Sequence, residues 1–143
     1  MKLYRLGNWF FRLGVPLLPM VCDALIRILH NSAVYSQTKI GKNTVFGYGG
    51  ISVVIHKNAV IGKNCVIGPN VTIGGKSKSA GVPTIGSGTY LGSGSKILGD
   101  ILIGQNCVVG ANAVVLNNVP DNCVVVGIPA KIIRSNINPK DFY

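Results

Sequence analysis

Two histidines, four cysteines, five tyrosines and four acidic residues are the groups from which this 143-residue sequence could build chemistry. His56, in Val54-Ile55-His56, is the first candidate. A neutral imidazole is well suited to take the proton of an attacking hydroxyl at neutral pH, typically worth 10²–10⁴-fold in rate. His30 closes an apolar stretch and reads as a group at a helix C-terminus. Tyr48 stands in Phe46-Gly47-Tyr48-Gly49-Gly50. A phenol is a poor base at neutral pH, so Tyr48 either orients an acceptor or simply packs. The cysteines, at 22, 65, 107 and 123, form no C-x-x-C pair and read as small buried thiols. Two histidines fall short of a three-histidine zinc site, so no metal is expected.

Fourteen lysines and arginines against four acids give a net charge of +10. Nucleic acid, an anionic membrane or a polyanionic small ligand would each suit that charge. The lysines are scattered about one per repeat, without interleaved aromatics, so a nucleic-acid partner is not expected. The most apolar stretch, Leu13 to Cys22, is bounded by Arg12 and Asp23 and broken by Pro16 and Pro19. It is too short to span a bilayer and lacks a signal-peptide cleavage pattern, so a cytoplasmic location is expected.

The elements that must position these groups are written in a six-residue period. Large apolar residues lead hexads at 40, 46, 55, 61, 67, 73, 85, 91, 97, 103, 109 and 115. Glycine follows nine of them, and the fourth position is Gly, Asn or Asp in all but one. Those types tolerate the positive φ of a sharp corner. Three short strands and three corners make one 18-residue coil, so twelve hexads predict about four coils of a parallel β-helix. The faces are numbered in order from Ile40; Ile55 and Ile73 then fall on the third face.

Two interruptions break the period. Nine residues separate Phe46 from Ile55, placing a bulge at Gly49–Ser52. Twelve separate Ile73 from Ile85, so a loop leaves at about 75–84, beside His56. Irregular backbone, glycines, lysines and a histidine converge there, making Gly49 and Lys76 candidate substrate contacts with Tyr48. His56 takes the second hexad position, where glycine is the rule. The other exceptions, Leu98 and Leu116, share its face, which suggests a subunit contact. His56 is therefore either the base or an interface or corner residue.

Residues 1–34 read as two helices split by Gly14-Val15-Pro16. They would cap the coil, pack on a trimer partner, or insert shallowly into a membrane interface with Arg5, Arg12 and Arg27 near headgroups. Residues 35–120 form the β-helix, and 121–143 a closing cap and tail.

The hexad array, the loop after Gly74-Gly75, the run Gly92 to Gly99 and the closing Val126-Gly-Ile-Pro-Ala-Lys-Ile-Ile133 together resemble the serine acetyltransferase-like hexapeptide transferases. The resemblance implies a left-handed β-helix, a homotrimer, and acetyl-CoA in the groove between adjacent prisms. It assigns the coenzyme to Gly74, Gly75, Ser93, Ala111, Gly127, Pro129, Ala130 and Lys131. Each of these also suits an ordinary corner or turn of the prism. The family's catalytic histidine, its partner aspartate and a further substrate-site histidine fall on Tyr48, Ala33 and Val82. The Tyr48-Gly-Gly and Val54-Ile-His56 patterns look more like capsule and exopolysaccharide O-acetyltransferases. The expectation is an acetyl-CoA-dependent O-acetyltransferase acting on a sugar or polysaccharide precursor, with His56 as base. Serine O-acetylation and a non-catalytic scaffold are the alternatives.

Overall fold

The computed structural model describes residues 1–138, 141 and 142. Each hexad sends its leading side chain inward and then turns, and all twelve leading residues are buried. The third face holds Ala33–Val34, Val54–Ile55, Thr72–Gly74, Lys96–Leu98 and Val114–Val115. The first holds Lys39–Ile40, Val60–Ile61, Thr84–Ile85 and Leu102–Ile103. The second holds Val45–Phe46, Val66–Ile67, Tyr90–Leu91, Val108–Val109 and Val124–Gly127, with Ala130–Arg134 added at its end. Pairing between coils is parallel and in phase: Ile55 lies opposite Ile73, Ile73 opposite Ile97, and Ile97 opposite Val115. The inward side chains therefore stack as ladders, and each fully buried isoleucine contributes about 1.5–3 kcal/mol.

The three edges of the prism differ. Asn43, Asn64, Asn70, Asn106 and Asn112 take the positive φ expected of the fourth hexad position, as do Gly49, Gly88 and Gly94. Asn58, Asp100 and Asn118 do not, and all three lie on the edge from the third face to the first. Here the corner closes differently: Asn118 Oδ1 accepts the Leu102 N–H at 2.9 Å, and Gly99 takes a φ of 101°.

The same edge explains the missing glycines. On the first-to-second edge a Cβ at Gly41, Gly62 or Gly86 would lie 2.5 Å from the backbone of the next coil. At Gly92, on the second-to-third edge, it would lie 2.7 Å from backbone. At Gly74, on the third-to-first edge, nothing lies within 4 Å. His56, Leu98 and Leu116 are tolerated because this edge is roomy, and no subunit contact is needed to account for them.

Thr44, Cys65, Thr89, Cys107 and Cys123 form a ladder inside the first-to-second edge. Thr44 Oγ1 donates to the Gly62 carbonyl at 2.8 Å and accepts the Cys65 N–H at 3.1 Å. Burial pushes the Cys65 and Cys107 thiols up. All four cysteines are free and buried.

Helices α1 (Lys2–Arg12) and α2 (Leu17–His30) close the first coil. Gly14 separates them at φ 73°, and Asn31, at φ 50°, ends the second. Tyr4 locks α1 down: its hydroxyl donates to the Thr38 carbonyl at 2.6 Å and accepts the Ile40 N–H at 3.2 Å. Arg5 adds bonds to the carbonyls of Ile40 and Gly41. At the far end Val124–Gly127 and Ala130–Arg134 form an antiparallel hairpin over the last coil. Residues 139, 140 and 143 of the expected tail lie outside the described residues.

Candidate functional site

The candidate residues gather on the two edges that flank the third face. On the third-to-first edge, the His56 backbone N–H donates to the Ile73 carbonyl at 2.8 Å. That bond fixes the corner one coil below the point where the loop departs. The half-buried imidazole accepts the Asn58 N–H on Nδ1 at 3.1 Å. With Nδ1 accepting, the neutral ring carries its proton on Nε2. A groove of about 530 Å³, lined by Gln37, Lys39, Lys57, Asn58 and Val60, runs beside it.

The loop from Gly75 to Pro83 folds back on the next coil. Ser79 Oγ accepts the Asp100 N–H at 3.2 Å, and Gly81 sits so close to the Asp100 carboxylate that a side chain there would have to displace it. Lys76 packs toward Gly99, where a Cβ would lie 3.5 Å from its own Cβ. Gly74, Gly75, Lys76 and His56 thus share one edge.

The second-to-third edge carries the rest. The bulge is a tight turn, Gly47–Gly50, with Tyr48 at φ 50° and Gly49 at φ 75°. Tyr48 is 83% exposed, so its ring does not pack. The register pairs Val45 with Val66, Val66 with Tyr90, Tyr90 with Val108, and Val108 with Val124. Three residues on from each, Tyr48, Pro69, Ser93, Ala111 and Gly127 form one column up this edge. Pro129, Ala130 and Lys131 join it at the top, because Gly127 pairs with Ala130 and Val126 with Lys131. Lys131 is exposed.

His30 stands at the foot of this column. A Cβ built on Gly49 would lie 3.8 Å from His30 Nδ1, and the Ser52 N–H donates to the His30 carbonyl at 3.1 Å. The sequence reading missed this neighbour: the signals around residue 30 mark a helix end, and none ties it to residue 49. Both histidines therefore lie at candidate edges.

Strands of two or three residues, with their corners, separate the edges by roughly 10–15 Å. A group on one edge cannot touch a group on the other within one chain. Small residues along the column would let a long, thin ligand run close to the backbone, and Lys131 could meet a phosphate at its end. Among the described residues no group of three or more metal-ligating side chains comes together.

Residues 83–117 match the bacterial transferase hexapeptide family, and 37–74 and 52–97 match the hexapeptide repeat of succinyl-transferase. A serine acetyltransferase of Synechococcus elongatus is 36% identical over 137 residues, covering 94% of this chain and 56% of its own. Two solved structures superpose well. Serine acetyltransferase from Brucella abortus in complex with coenzyme A has a TM-score of 0.87 at 30% identity, covering 96% of this chain and 56% of its own. Soybean serine acetyltransferase complexed with serine has a TM-score of 0.84 at 34% identity, covering 92% and 55%. The chain spans a little over half the length of each of these relatives.

Proposed function

The chain belongs to the hexapeptide-repeat acyltransferase family, and on that premise we propose that it transfers an acetyl group from acetyl-CoA to a hydroxyl acceptor. The observation that carries this reading is the two-edge arrangement. A column that includes Ser93, Ala111 and Gly127, small enough to admit a coenzyme arm, runs up one edge, while the loop, the Gly74-Gly75 pair and His56 stand on the other. A neighbouring copy closes the gap, as in a homotrimer with a groove between adjacent prisms. No metal is assigned.

The acceptor best supported is the hydroxyl of serine. The relatives are serine acetyltransferases, and one superposing structure is complexed with serine. This departs from the sugar hydroxyl that the sequence pattern suggested. The glycan reading keeps one specific support: Tyr48, Ala33 and Val82 stand where the resemblance puts two histidines and an aspartate.

In the reaction the acceptor oxygen attacks the thioester carbonyl carbon, its proton passes to an imidazole, and the C–S bond breaks. The coenzyme leaves as a thiolate and takes up that proton. Backbone N–H groups at the bulge or the loop would hold the oxyanion. His56 is the proton acceptor in this scheme. To receive a proton on Nε2 its ring must shift its own proton to Nδ1 and release the Asn58 N–H. Lys131 and neighbouring cations attract the coenzyme phosphates. The reading places the chain in the cytoplasm.

Heat-shift measurements with acetyl-CoA test the donor, and thiol release with serine, simple sugars and nucleotide-sugars tests the acceptor. The expected result is a coenzyme-dependent shift, weakened by salt and by Lys131→Ala, with thiol release on serine. Release on sugars alone would move the acceptor to the glycan class. No shift would leave a non-catalytic prism.

A further inference from the structure

The α1–α2 hairpin turns its apolar side the wrong way for a protein surrounded by water. Pro19, Cys22 and Ile26 are the buried residues of α2. On the opposite side Leu17, Val21, Ala24 and Ile28 recur at three- and four-residue spacing, all exposed. Ile28 is 77% exposed and Leu17 70%. On α1, Leu6 and Trp9 are exposed as well. An exposed apolar helix face of this kind marks a docking surface.

Its charge says what docks there. Lys2, Arg12 and Arg27, on the same two helices, are exposed. Asp23 is the sole acid of residues 1–34. It is turned toward the prism, where Oδ1 accepts the Ser36 N–H at 2.8 Å and the Ser36 hydroxyl proton at 2.5 Å. The hairpin thus carries free cations and no free carboxylate. At 11 and 14 residues neither helix can cross a bilayer.

We infer that this hairpin lies in the interface of a bilayer containing anionic lipid. The outer face of α2 sits at the acyl boundary, Trp9 at headgroup level, and Lys2, Arg12 and Arg27 against lipid phosphates. Exclusion of apolar surface from water supplies the depth, and the cations supply the lipid preference. The inference stands on the hairpin alone and survives failure of the acyl-transfer reading.

Flotation of the full chain with vesicles tests it, using phosphatidylcholine alone or mixed with phosphatidylglycerol. The chain should float with the mixed vesicles and at least tenfold less with phosphatidylcholine alone. Ile28→Asp, and separately Arg12→Gln with Arg27→Gln, should each lower flotation at least tenfold. Thermal unfolding and sedimentation mass should stay unchanged, since these side chains point away from the prism. A wild-type chain that stays in solution with both vesicle types would overturn the inference. So would an Ile28→Asp chain of smaller sedimentation mass whose parent does not float, which would assign the face to a second copy. Equal flotation with both vesicle types would remove the anionic preference on which the argument rests.

Discussion

Nδ1 of His56 accepts the backbone N–H of Asn58 at 3.1 Å. The bond holds the ring at the roomy edge of the prism. It also makes the base role and the donor role of this side chain separable by experiment. His56→Ala should lower kcat by on the order of 10²–10⁴ with coenzyme affinity nearly intact. His56→Gln keeps an N–H donor but has no basic nitrogen. If the ring takes the acceptor proton, the glutamine variant should be as poor as the alanine variant. Recovery of most activity by glutamine would make His56 a donor to the oxyanion instead. Tyr48→Phe should cost much less than either. A large loss in His30→Ala with a mild one in His56→Ala would move the base to the ring beside Gly49.

The separation of the two edges predicts shared sites. Sedimentation should give about three times the 15.1 kDa chain mass. His56→Ala disables one edge, and Ala111→Trp should block the column on the other. Each variant alone should be inactive, and co-assembled trimers of the two should regain part of the activity. Absence of any recovery in verified mixed trimers would mean that each site is built from a single chain.

Crowding at the corners predicts unequal costs for the same substitution. Gly62→Ala puts a Cβ 2.5 Å from the Ser87 backbone nitrogen, while Gly74→Ala meets nothing within 4 Å. The first should destabilise by about 1–3 kcal/mol through overpacking. The second should stay within about 0.5 kcal/mol. Denaturant unfolding of the two variants measures both. Equal losses would show that the edges do not differ in room.

Burial holds the thiols of Cys65 and Cys107 and the phenol of Tyr4 protonated beyond their ordinary values of 9.0 and 10.0. The folded chain therefore binds these protons more tightly than the unfolded one. Their contribution to stability is whole below about pH 9 and is lost as pH rises through the raised folded values. Chemical unfolding should show a flat midpoint up to about pH 9 and a fall above it. Tyr4→Phe should flatten that fall, at the expense of the bonds to Thr38 and Ile40.

The sequence by itself determined the solenoid. A large apolar residue every sixth position, followed by glycine and then by asparagine or glycine, admits one local solution. That solution is a short strand with an inward side chain and a sharp corner. The bulge after Phe46, the loop after Gly74 and the two helices before Ala33 could be placed the same way, because each is a break in a local rule. The grouping of the candidate site could not. Whether Tyr48, Ser93, Ala111 and Gly127 share a column depends on how coils stack after a three-residue bulge and a six-residue loop have shifted the count. That His30 meets Gly49, and that His56 stands where a Cβ is free to fit, depends on contacts between segments distant in the chain. The apolar side chains of α2 are legible in the sequence, but not which way they turn. Only docking through Tyr4, Asp23 and Ile26 decides which side of the helix is left without a partner.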